Sequence, residues 1–145
     1  MKVLLLSDHC LKKSGVGRVS HDIIKYSNLE WVQLGGAWNE PYTGVPKDVS
    51  VGDKVIKVYS CQDYGNRNIL LDLLDKEMPD IILHFTDPRF WYWLYEIEFE
   101  IRKLRHIPLA YYSIWDNYPI PEFNAPFYNS CDLLIAINKV AYDAH

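Results

Sequence analysis

Residues 2–24, "KVLLLSDHCLKKSGVGRVSHDII", decide the fold. Lys2 to Ser7 form a short, branched, nearly unbroken apolar run, the signature of a strand buried on both faces. "SGVGR" at 14–18 then places a serine N-cap and two glycines at the start of a helix, and Val16, Val19 and Ile23 share one helical face. Strand, glycine loop and amphipathic helix in that order open a βαβ unit.

The same alternation continues down the chain. Strands are expected at 2–7, 31–36, 54–60, 80–85, 108–114 and 132–137, separated by helical periods. Ile69, Leu70, Leu73 and Leu74 line one helix. Phe90, Trp93, Leu94, Ile97, Ile101 and Leu104 repeat at threes and fours over 89–105, with the cations of "RKLRH" at the C-terminal end. The stretch 39–53, with two prolines and two glycines, reads as a loop. The fold class is therefore α/β with a mostly parallel sheet. With 145 residues and no linker or repeat, the expectation is a single domain over 1–145. "NKVAYDAH" follows the last strand where a further helix is due, so a fragment of a longer protein is the expected context.

Fifteen Lys and Arg against nineteen Asp and Glu give a formal charge of −4, which argues against nucleic acid as a partner. Cys10, Cys61 and Cys131 are odd in number and widely spaced, so they read as reduced thiols rather than a disulfide framework. The five histidines have no metal-ligand spacing, and no metal is expected. The apolar start is too short for a membrane span or a signal peptide. The expected location is cytoplasmic, and nothing in the sequence indicates membrane association.

In a parallel α/β sheet, ligands sit at the carboxyl ends of the strands, which singles out four loops. "SGVGR" lacks both the dinucleotide fingerprint and the P-loop lysine. It admits two readings: an anion site on free helix N–H groups, with Arg18 adding a charge-assisted contact, or a plain Ser14 cap with glycines relieving crowding. In "HFTDPRF", Thr86 or Asp87 caps the following helix with Pro88 in its first turn, and His84 and Asp87 are the candidate ligand groups. In "SIWDNYPIPEF", two prolines force an extended path that presents Trp115, Asp116, Asn117 and Tyr118. A ring beside a carboxylate and an amide suits a sugar.

The ordered set "MKVLLLSDHCLKKSGVGRVSHDII", "PDIILHFTDP", "IPLAYYSIWDNYP" and "CDLLIAINKVAYD" resembles the N-terminal half of GT-B fold glycosyltransferases, particularly the retaining family 4. The resemblance spans nearly the whole chain. It implies a Rossmann-like three-layer domain, one half of a GT-B fold, whose nucleotide-sugar-binding C-terminal partner is absent from this sequence. It implies that Gly15, Val16, Gly17 and Arg18 meet the donor phosphates and the acceptor. Asp116 takes the family's aspartate position and is the candidate catalytic residue, while Trp115 stands where the family has a histidine. Asn138 and Lys139 fall at the cleft end of the last strand. His84, Asp87, Trp115, Asn117, Tyr118, Asn138 and Lys139 are then acceptor- or sugar-binding candidates.

The activity so implied is transfer of a sugar from a nucleotide-sugar to an acceptor hydroxyl, without cofactor or required metal. The chain alone is expected to be inactive. The alternative is a stand-alone Rossmann-like module that binds a nucleotide, sugar or protein without turnover. A nicotinamide-dependent oxidoreductase is disfavoured, because the glycine spacing is wrong and "VQLGGAW" offers no acid for a ribose.

Overall fold

The structure is a computed structural model and describes residues 1–115, 119 and 121–145. Seven strands form one sheet: β1 (Lys2–Asp8), β2 (Glu30–Gly36), β3 (Lys47–Val51), β4 (Lys54–Ser60), β5 (Ile81–Phe85), β6 (Leu109–Ser113) and β7 (Leu133–Ala136). Their order is β3-β4-β2-β1-β5-β6-β7, with every neighbouring pair parallel except β3 and β4. The helices are α1 (Gly15–Tyr26), α2 (Arg67–Glu77), α3 (Tyr92–Glu96), α4 (Ala125–Asn129) and α5 (Lys139–Ala144).

The continuous apolar run of β1 has a plain physical cause. Leu4 and Leu6 face one core, with Leu34 of β2 and Leu70, Leu73 and Leu74 of α2. Val3 and Leu5 face the other, where Ile24, Val16, Val19 and Ile23 of α1 pack. Both faces are covered, so no polar residue is tolerated between Val3 and Leu6, and each leucine buried there contributes about 1.5–3 kcal/mol. The result is a three-layer α/β domain.

Two expectations are corrected. Within the expected loop 39–53, Val49, Ser50 and Val51 pair antiparallel with Ile56, Val55 and Lys54, forming an edge hairpin. Its two-residue turn is Gly52–Asp53, with Gly52 at φ +63°, the first position of a II′ turn.

The second correction concerns the single helix expected over 89–105. It is instead a 3-10 turn (Pro88–Trp91), then α3, then a π turn (Glu100–Leu104). The tighter opening turn rotates the apolar stripe, so Trp91 is fully buried while Phe90 is 60% exposed. The wider closing turn keeps Ile101 in the core and leaves Leu104 outside.

Among the described residues no helix is long and apolar enough to cross a membrane.

Candidate functional site

The strand order reverses direction at β1: the chain runs outward through β2 and β4 on one side and through β5, β6 and β7 on the other. Ligands of open α/β sheets bind at such a switch point, outside the carboxyl ends of the flanking strands. Here those ends are Asp8 and His9, in and after β1, and Phe85 and Thr86, in and after β5.

The β1–α1 loop is fastened down by a residue that periodicity cannot single out. Gln33, wholly buried in β2, accepts the Cys10 N–H (3.1 Å) and donates to Ser7 Oγ (2.8 Å) and to the Asp8 carbonyl (2.9 Å). Ser20 of α1 donates to Ser7 Oγ at 3.0 Å, tying the helix to the same point. A lone glutamine inside "WVQLGG" was the available signal, since a buried amide must find partners.

Asp8 ends β1 nearly buried and accepts two hydroxyls: Ser14 at 2.8 Å and Tyr64 at 2.7 Å. Ser14 Oγ also accepts the Gly17 N–H at 3.0 Å and is the N-cap of α1. The strand end, the helix start and the loop after β4 thus meet on one carboxylate. His9 is buried with its ring stacked on Trp38 at 4.0 Å, and its Nδ1 accepts the Leu11 N–H. Burial lowers its pKa to about 4, against a partial upward pull from Glu40, so the imidazole is neutral.

The two glycines do different work. A Cβ on Gly17 would lie 2.4 Å from the Lys12 carbonyl oxygen, so Gly17 lets the helix start lie against its own loop. A Cβ on Gly15 would meet nothing within 4 Å. The Gly17 N–H goes to Ser14 Oγ and the Arg18 N–H to the Ser14 carbonyl, leaving those of Gly15 and Val16 without a partner among the described residues. The Val16 side chain packs on the core below. The Ser14 cap and the relief of crowding at Gly17 are thus built into the helix start, while Gly15 borders open space.

The same loop and helix start line a cleft of about 390 Å³, walled by Lys12, Lys13, Ser14, Arg18 and His21 together with Cys10 and Leu11. Lys12 Nζ donates to the Ala37 carbonyl at 2.9 Å, which bridges the cleft wall to the end of β2. Arg18 meets Asp22 at 3.3 Å across one helical turn, with its side chain 79% exposed. An exposed, solvent-screened pair of that kind contributes little and leaves the guanidinium available to an anion. Three cations beside free helix N–H groups make the cleft electropositive in a chain that is acidic overall.

The remaining sequence candidates fall elsewhere. His84 is wholly buried, with Nδ1 at 2.7 Å from the Tyr95 hydroxyl and its ring stacked on Tyr111 at 4.9 Å. Burial lowers its pKa to about 3. It is packed among aromatic rings and does not line the cleft after β1. Asp87 accepts the Arg89 N–H as a cap and pairs with the Arg89 guanidinium, which holds its carboxyl below the usual range. Asn138 accepts the Ala141 N–H as the cap of α5, and Lys139 pairs with Asp143 one turn on. Trp115 is half-buried, and its indole N–H has no partner among the described residues. Asp116, Asn117 and Tyr118 lie outside the described residues.

The sequence reading missed Tyr64. Its ring stacks on Phe90 at 5.6 Å and its hydroxyl holds Asp8, so the loop after β4 reaches over the switch point.

No model of a known protein family and no curated protein matches the chain. A solved E. coli structure, "Trehalose-6-phosphate from E. coli bound with UDP-2-fluoro glucose", is similar with a TM-score of 0.54 and 15% sequence identity. The match covers 99% of this chain and 41% of that one, so this sequence spans less than half the length of the chain it resembles. At this identity the likeness is one of fold: the chain is a Rossmann-like three-layer α/β domain with the architecture of one half of a GT-B fold.

Proposed function

We propose that this chain is the single N-terminal, acceptor-side domain of a retaining, family 4-like glycosyltransferase that moves a sugar from a nucleotide-sugar to an acceptor hydroxyl. The observation that carries the reading is the cleft after β1 lined by Lys12, Lys13, Ser14 and Arg18, with the sterically open Gly15 next to Ser14 in the chain. The fold likeness to a structure bound with UDP-2-fluoro glucose supports it.

In this reading the donor's diphosphate approaches the Gly15 and Val16 N–H groups, which a side chain at position 15 would obstruct. Fixed amides and cations there stabilise the negative charge that builds on the departing diphosphate, without reorganising when the bond breaks. Asp116 is the acceptor-side carboxylate, with Trp115, Asn117 and Tyr118 around the sugar. A second domain outside this sequence supplies the remaining donor contacts, so the chain alone is inactive and needs no cofactor.

Calorimetric titration with UDP, GDP and their sugars tests the reading. The expected result is millimolar binding of a nucleotide-sugar that weakens with salt and falls several-fold in Lys13→Ala. Salt-independent binding unaffected by that change would count against a phosphate in this cleft.

A further inference from the structure

Between α3 and α4 lies a notch of about 120 Å³ that shares no residue with the β1–α1 cleft; it is lined by Tyr92, Tyr95, Glu96, Pro126, Phe127 and Ser130. Three aromatic rings wall it at steep angles. Tyr92 stands edge-on to Phe127 at 6.2 Å with planes 86° apart, and Tyr95 lies 4.9 Å from Phe127 at 58°. The Tyr95 ring is pinned from behind by the hydrogen bond between its hydroxyl and His84 (2.7 Å). The Ser130 hydroxyl is occupied by the Pro126 carbonyl at 2.7 Å.

The charge in the notch comes from Glu96. It belongs to "EIEFE", where Glu98 pairs with Arg102 and Glu100 with Arg67, each at 2.9 Å. Glu96 has no hydrogen-bond or ion-pair partner among the described residues. An exposed carboxylate without a protein partner among the described residues therefore lines the notch beside three aromatic rings, whose faces carry negative quadrupoles.

We infer that this notch binds an alkylammonium head group, the quaternary or methylated cation held by the Tyr92, Tyr95 and Phe127 rings and balanced by Glu96. Cations are attracted to ring faces within about 6 Å, and the attraction grows when the site is partly desolvated. Shape selects this ligand over a sugar. A pyranose stacks on one open, flat ring, whereas rings at 58° and 86° enclose a compact, near-spherical group. Size agrees, since the notch is well below the about 300–1,000 Å³ of sites that take whole small molecules.

The test is amide-detected NMR of this chain titrated at constant ionic strength with tetramethylammonium chloride and, separately, with neopentyl alcohol, its neutral near-isostere. Saturable shifts at Glu96, Phe127 and Ser130 with the cation only are expected, weakened about tenfold in Glu96→Gln and abolished in Tyr92→Leu. Both substituted positions are exposed, and an unchanged spectrum elsewhere verifies the fold. No saturable shift up to about 100 mM, equal binding of the alcohol, or undiminished binding by Glu96→Gln would overturn the inference. Free choline, a trimethyllysine peptide and phosphatidylcholine vesicles then distinguish the source. Binding of any one supports the site and names its origin, and binding of none overturns it.

Discussion

Alanine at Gly17 and alanine at Gly15 are the same chemical change two residues apart, with opposite expected outcomes. At position 17 the new Cβ would lie 2.4 Å from the Lys12 carbonyl oxygen and 3.1 Å from that of His9, the first below the 3.0 Å that real Cβ atoms keep. Both neighbours are backbone, so the loop or the helix start must shift, at a cost of about 1–3 kcal/mol for overpacking. The shift also strains the Ser14–Gly17 cap bond, which is worth about 1 kcal/mol. A total near 2–4 kcal/mol lowers Tm by roughly 6–12 °C in a domain of this size. At position 15 the Cβ meets nothing, and alanine restricts the unfolded chain, so stability holds or rises by about 0.4–1 kcal/mol. Thermal and urea unfolding of both variants measures these effects. Nucleotide-sugar titration of Gly15→Ala then separates folding from binding, with affinity expected to fall about tenfold or more in a fully folded protein. A Gly17→Ala variant as stable as the parent, or a Gly15→Ala variant that binds normally, would refute this division of labour.

Acid should destabilise the fold well above the usual carboxylate range. Burial lowers His9 to about 4 and His84 to about 3, so between those values and the unfolded pKa near 6.5 the unfolded chain binds more protons. Stability therefore falls as pH drops below about 6.5, by about 4 kcal/mol between pH 7 and pH 5 for the two together. Urea unfolding at both pH values measures it, and equal stability would contradict the neutral, buried assignment. Met78 caps α2 at φ +45° with 76% of its surface exposed, so Met78→Gly should stabilise the protein by about 0.5–1 kcal/mol, and a loss would refute the strain. Tyr64→Phe removes the hydroxyl that Asp8 accepts and should cost about 1.5–3 kcal/mol in chemical denaturation, the worth of a hydrogen bond to a charged group. A cost near zero would mean that the loop after β4 does not depend on Asp8.

What was legible in the sequence followed from local period and covalent geometry. The six parallel strands stood out because a strand covered on both faces must be apolar at successive residues, as Val3 to Leu6 are. β3 did not, because Val49 and Val51 alternate over too few residues and lie within a proline-rich stretch. The rotated stripe after Pro88 was hidden because a 3.6-residue period assumes one helix type, and three types share that segment. The loop of the candidate site could be picked out from the glycines and their strand. Its construction was not, because Gln33 acts on a loop 23 residues away and Tyr64 on a carboxylate 56 residues away. Long-range pairings leave no periodic trace. The different tasks of Gly15 and Gly17 depend on what surrounds each one in space, which "SGVGR" does not record.

The central claim is that the cleft beside Gly15 receives a nucleotide-sugar's phosphates, and amide-detected NMR of the chain titrated with UDP-glucose tests it most directly, since even weak binding leaves a map. The account predicts saturable shifts at Lys13, Gly15, Val16, Gly17 and Arg18. Shifts confined to other surfaces, such as residues 40–47, or none at saturating ligand, would contradict it.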